Sequence, residues 1–74
     1  MDEFMYEVYE WLNEPQNRCV EDLHYGWAEV YTQVELETAI FEFLAQRYSQ
    51  MYGETADAKF IGECTDIYIR NLYE

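Results

Sequence analysis

Apolar side chains recur at intervals of three and four along most of this chain, the spacing that lines one face of a helix. Between Asp2 and Asn13 the series Met1, Phe4, Met5, Val8, Trp11 and Leu12 predicts an amphipathic first helix. Glu14-Pro15-Gln16-Asn17 ends it, because the residue before a proline is pushed out of α geometry. Asn17 then stands where it can cap a short second helix, Arg18 to Tyr25, with Cys19, Val20 and Leu23 inward and Gly26 as the stop. Trp27 to Tyr31 reads as an extended linker, a lone strand or a continuation of the second helix. A linker or a further short turn of helix is favoured, since no second strand-like run exists to pair with a strand.

Thr32-Gln33-Val34-Glu35 has the form of a capping box, in which the Thr32 hydroxyl and the Glu35 carboxylate each accept a backbone N–H. A long third helix follows, its stripe of Leu36, Ile40, Phe43, Leu44 and Met51 running to Tyr52, where Gly53 supplies a C-terminal stop. Thr55 is placed to cap a fourth helix from Ala56 towards Leu72, with Phe60, Ile61, Cys64, Ile67, Tyr68 and Leu72 inward. Gly62 weakens that helix by about 1 kcal/mol relative to alanine and marks a candidate close crossing. Helices joined by short loops predict an all-α fold, a small compact bundle of three to four helices forming one domain over residues 1–74.

Charge changes this picture from fold to function. Sixteen acids against four Lys and Arg give a formal net charge of −12, yet half the residues are hydrophobic and 19% are aromatic, so the chain is expected to fold rather than stay disordered. Direct binding to nucleic acid or an anionic membrane is excluded by the sign of the charge. Residues 1–42 carry eleven acids against Arg18 alone, a net of −10, whereas residues 43–74 carry five acids against three bases, a net of −2. Self-repulsion on that scale opposes compaction in a domain of this size, which points to a role for the charge outside stability.

Within the first helix Glu3, Glu7, Glu10 and Glu14 follow spacings of four, three and four, a row on the side away from Phe4, Val8 and Trp11 with no base to neutralise it. Asp2, Glu21, Asp22, Glu29, Glu35 and Glu42 are candidates for parallel lines of charge, and Tyr6 and Tyr9 flank the row as rigid amphipathic contact area. An ordinary solvated helix face would also carry glutamates, and tyrosines also serve as core rim. The fourth helix differs, pairing Lys59 with Glu63 and Asp66 with Arg70 at i, i+4. Carboxylates accept two-pronged hydrogen bonds from arginine much as phosphates do.

In composition and in the Glu3, Glu7, Glu10, Glu14 row the chain resembles, as a class, the acidic DNA mimics by which phages and mobile elements block host defence, the anti-restriction and anti-CRISPR proteins. The resemblance implies a non-enzymatic inhibitor in the host cytoplasm whose partner is a basic nucleic-acid-binding protein: a nuclease, a CRISPR effector or a DNA-binding regulator. These mimics share no common fold, so the resemblance assigns no further residue, and the balanced fourth helix points to a single negative face. The competing expectation is an acidic adaptor or transcription modulator that docks through Tyr and Trp side chains.

Other chemistry finds little support. His24 and Cys19 with distant Cys64 lack the ligand spacing of a zinc site, no third group completes a Cys–His nucleophile, and calcium and phosphate loops are absent, so neither metal nor cofactor is expected. His24 is expected at or near the surface by the Gly26 helix end, and the two cysteines as reduced thiols packed as small hydrophobes. The acidic N-terminus and the lack of a long apolar run predict a cytoplasmic chain. Arg47 falls by helical phase inside the third helix's apolar stripe, where an ion pair with a carboxylate of another helix is expected, with a subunit contact as the alternative. A stripe widened by Phe41 and Tyr48 exceeds what one small bundle needs and would suit a homodimer.

Overall fold

A computed structural model describes residues 2–74, so the place expected for Met1 on the first helix lies outside the described residues. Four helices follow one another: α1 (Glu3–Asn13), α2 (Arg18–Val30), α3 (Gln33–Tyr52) and α4 (Ala58–Leu72), with one turn of 3-10 helix at Pro15–Asn17. The all-α bundle expected from the periodicity is what forms, with no strand among the described residues.

Local chemistry sets most boundaries. Asp2 is extended and its carboxylate accepts the Phe4 N–H at 2.9 Å, which opens α1, and Glu14 leaves helical geometry just before Pro15. Thr32 and Glu35 form the complete capping box, and Gly53 closes α3 at φ 71, a left-handed conformation suited to glycine. α4 begins two residues later than expected, with Asp57 rather than Thr55 at its N-cap.

Ring contacts give the packing. Tyr48 meets Phe60 and Phe43 meets Tyr68, so α3 and α4 form an antiparallel hairpin. Phe4 lies against Tyr48 and Phe60 while Trp11 reaches Phe43, which lays α1 antiparallel to α3 across the hairpin. Phe4, Met5, Val8 and Leu12 of α1 close the core against Leu36, Ile40, Leu44, Ile61, Cys64, Tyr68 and Ile69. Because Tyr48 packs on Phe4 and Phe60, the wide stripe of α3 is used in part within the chain.

α2 departs most from expectation. It runs through Gly26 to Val30, making a helix of the segment 27–31 that was favoured as a linker or short turn. The next turn carries Trp27, which packs against the core beside His24, and Ala28, whose carbonyl accepts the Tyr73 hydroxyl at 3.5 Å. Burying an indole offsets the roughly 1 kcal/mol that glycine costs a helix interior. The inward face is Val20, His24 and Trp27, not Cys19, Val20 and Leu23: Cys19 and Leu23 are exposed, and His24 is buried. Asn17 holds the N-cap position of α2 as expected but makes no side-chain capping bond; its amide instead donates to the Trp11 carbonyl at 2.9 Å and ties down the end of α1.

Other corrections are local. Ile67 is 37% exposed, and Thr65 and Ile69 take inward positions on α4. A Cβ added at Gly62 would meet nothing within 4 Å, so no close crossing occurs there. Both cysteines are free thiols, but only Cys64 is packed inside, where burial pushes its pKa up to about 11.

Candidate functional site

α1 crosses the hairpin with its apolar side down, and the four-glutamate row faces outward along its back. Glu3, Glu10 and Glu14 are exposed and Glu7 is half-buried. The row does not act as one strip, because its members lean towards different neighbours.

At one end Glu7 accepts the Tyr52 hydroxyl of α3 at 2.6 Å. That hydrogen bond, with partial burial and the charges of Glu7 and Glu3, raises the Tyr52 phenol to about 12. Asp2, Glu3 and Asp57 line a hollow there with Phe4, Tyr48, Tyr52 and Phe60. Glu14, at the other end, accepts amide protons from Gln16 at 2.8 Å and Asn17 at 3.3 Å, so its carboxylate is partly used in the turn.

Between those ends, on the flank facing α2, lies a notch of about 540 Å³. Tyr6, Tyr9, Glu10 and Asn13 come from α1, Glu21 and Tyr25 from α2, and Asn71 from α4. The Tyr9 ring stacks on Tyr68 with centroids 5.8 Å apart, and its hydroxyl accepts from Asn71 at 2.5 Å. Hydrogen bonding to Glu10 and the charge of that carboxylate raise the Tyr6 phenol above its ordinary 10.0.

The remaining expected contacts are dispersed. Asp22 and Glu29 are exposed on α2. Glu35 accepts the Thr32 N–H at 2.9 Å, and these Thr32 bonds hold its carboxyl below the usual range, so it already has a structural task. Glu42 lies at an apolar groove of about 650 Å³ between α2 and α3, lined by Val20, Leu23, Trp27, Phe43 and Ala45.

Two groups differ from their expected roles. His24 sits in the core, its Nδ1 2.5 Å from the Tyr68 hydroxyl and its ring edge-on to Phe43. Burial depresses its pKa to about 4, so it is a neutral core base at pH 7 and not a helix-end cation. Arg47 makes no ion pair of the kind expected: its guanidinium lies 4.4 Å over the Trp11 ring and donates to Gln50 Oε1 at 2.9 Å, leaving its buried Nε without a partner. The flat cation finds an indole face where no inward carboxylate is within reach.

Sequence reasoning overlooked Tyr25, Asn13 and Asn71, and the His24–Tyr68 pair. Val20, His24 and Trp27 recur at four and three, but Cys19, Leu23 and Trp27 recur at four as well, so periodicity alone left the inward side of α2 open.

Among the described residues no group of three or more His, Cys, Asp or Glu side chains converges closely enough to hold a metal ion, and no helix is long and apolar enough to cross a membrane. No protein-family model, no curated protein and no solved structure matches the chain.

Proposed function

We propose that this protein is a non-enzymatic inhibitor that offers an acidic, nucleic-acid-like surface to a basic nucleic-acid-binding protein of the nuclease, CRISPR-effector or DNA-regulator type. The observation that carries the reading is the exposure of Asp2, Glu3, Glu10, Glu14, Asp22 and Glu29 on α1, its caps and α2, with Arg18 the only Lys or Arg before Arg47. Glu3, Asp22 and Glu29 accept no hydrogen bond from the other described residues and are free to meet guanidinium and ammonium groups, and binding of that kind weakens with salt.

The test is capture from a host lysate at low salt followed by competition with duplex DNA. The captured protein itself binds nucleic acid, and DNA releases it. Changing Glu3, Glu7, Glu10 and Glu14 together to glutamine reduces capture far more than Lys59→Glu, while far-UV circular dichroism stays unchanged. Equal losses from both variants sink a localised interface.

The α2–α3 groove, with Leu23 52% exposed at its edge, favours one second reading, an adaptor that docks through apolar contacts. There Leu23→Glu abolishes capture and neither salt nor DNA affects it.

A further inference from the structure

We propose that the notch between α1 and α2, walled by Tyr6, Tyr9 and Tyr25 and edged by Glu10 and Glu21, is a receptor for an arginine side chain of the partner. The inference deepens the preceding reading, resting on it only for the partner being basic.

The shape comes from three elements that sequence distance keeps apart. α1 supplies Tyr6, Tyr9 and Glu10, α2 supplies Glu21 and Tyr25, and Asn71 of α4 completes the lining with Asn13 of α1. Tyr6 is 58% exposed and Tyr25 44%, so both rings present surface to solvent that packing has not used. Tyr9, which also lines the notch, is held by its stack on Tyr68 and its bond from Asn71. The notch therefore has one rigid wall and two accessible ones.

Its charge is one-sided. Glu10 and Glu21 approach it from different helices, and none of the described residues lining it is basic. A carboxylate beside an aromatic face suits a cation, which gains attraction to the ring and an ionic hydrogen bond together. Arginine fits better than lysine because its planar guanidinium can lie on a tyrosine ring while its edge donates in pairs to a carboxylate. The same protein already seats a guanidinium this way, Arg47 over Trp11 at 4.4 Å.

The experiment uses the full chain labelled with 15N and titrated at low salt with oligo-arginine and oligo-lysine of equal length. Amide shifts concentrate at Tyr6, Glu10, Glu21 and Tyr25 with the arginine peptide, and the lysine peptide binds more weakly. Tyr25→Leu lowers arginine affinity about two- to fivefold, the range of a cation–ring contact at an exposed site, and Tyr25→Phe restores it. Tyr6→Leu gives a second variant at an exposed position. Shifts of equal size for both peptides, spread over all the acids, overturn the proposal, as does unchanged affinity in both leucine variants. Loss of the arginine effect with DNA-reversible capture intact removes the notch alone. Arginine uptake without DNA-reversible capture removes the inhibitor reading and leaves the notch standing.

Discussion

α1 and α2 on one side and the α3–α4 hairpin on the other bury similar chemistry but carry different shares of the bases. Both contribute apolar side chains to one core, Phe4, Met5, Val8 and Leu12 from α1 and Leu36, Ile40, Leu44, Ile61 and Tyr68 from the hairpin. Outside, α1 and α2 hold one base, Arg18, whereas the hairpin holds Arg47, Lys59 and Arg70. α4, with Lys59 and Arg70 against Glu63 and Asp66, shows that a helix of this fold can be built with a balanced surface. The excess on α1 and α2 is thus not a demand of packing, and it opposes compaction.

The largest expected effect comes from the core that both regions share. Ile40→Ala removes a fully buried side chain, at a cost of about 2–5 kcal/mol, which a domain of this size cannot spare. Thermal melting followed by circular dichroism should show loss of both regions together. Separate melting of α1–α2 and the hairpin would break the comparison at its root.

His24 ties α2 to the hairpin through Tyr68, and its effect should come next. Its folded pKa, about 4, lies below the ordinary 6.5, so the unfolded state binds the proton more readily between those values. The stability this provides is complete above pH 6.5 and is lost as pH falls through about 4, on the order of 3 kcal/mol in all. Urea midpoints measured across that window should fall with acid, against the relief of carboxylate repulsion, and His24→Leu should flatten the fall. A midpoint that rises steadily on acidification in the parent protein would show that surface repulsion outweighs the buried base.

Glycines sharpen the comparison at a smaller scale. Gly26 and Gly62 lie inside α2 and α4, and a Cβ at either meets nothing within 4 Å. Gly26→Ala and Gly62→Ala should each stabilise by about 0.5–1 kcal/mol in chemical denaturation, one in each region. Gly53→Ala, at φ 71, should destabilise by a similar amount. A loss of stability in Gly26→Ala alone would mean that α2 does not continue through that residue.

The smallest effect is spectroscopic. Glu7→Gln removes the charge that helps to hold Tyr52 near pKa 12, and ultraviolet titration should show one phenol moving back towards 10. Lys59→Glu on the hairpin should leave that phenol where it is.

Helices α1 and α3, the capping box at Thr32 and Glu35, the stop at Gly53 and the uneven charge were legible in the sequence, whereas the full length of α2 and the start of α4 were not. Each depends on residues within a turn of one another, or on counting alone. What tertiary structure decided was which side of α2 faces inward, and with it the burial of His24, the exposure of Leu23 and Cys19, and the meeting of Tyr25 with Tyr6 and Tyr9. A local rule gives a helix its boundaries, but a histidine or tyrosine suits either side of one, so its place is set by the ring it finds across the bundle. Arg47 follows the same logic: periodicity placed it in an apolar stripe, and only the packing of α1 supplied the Trp11 face that receives it.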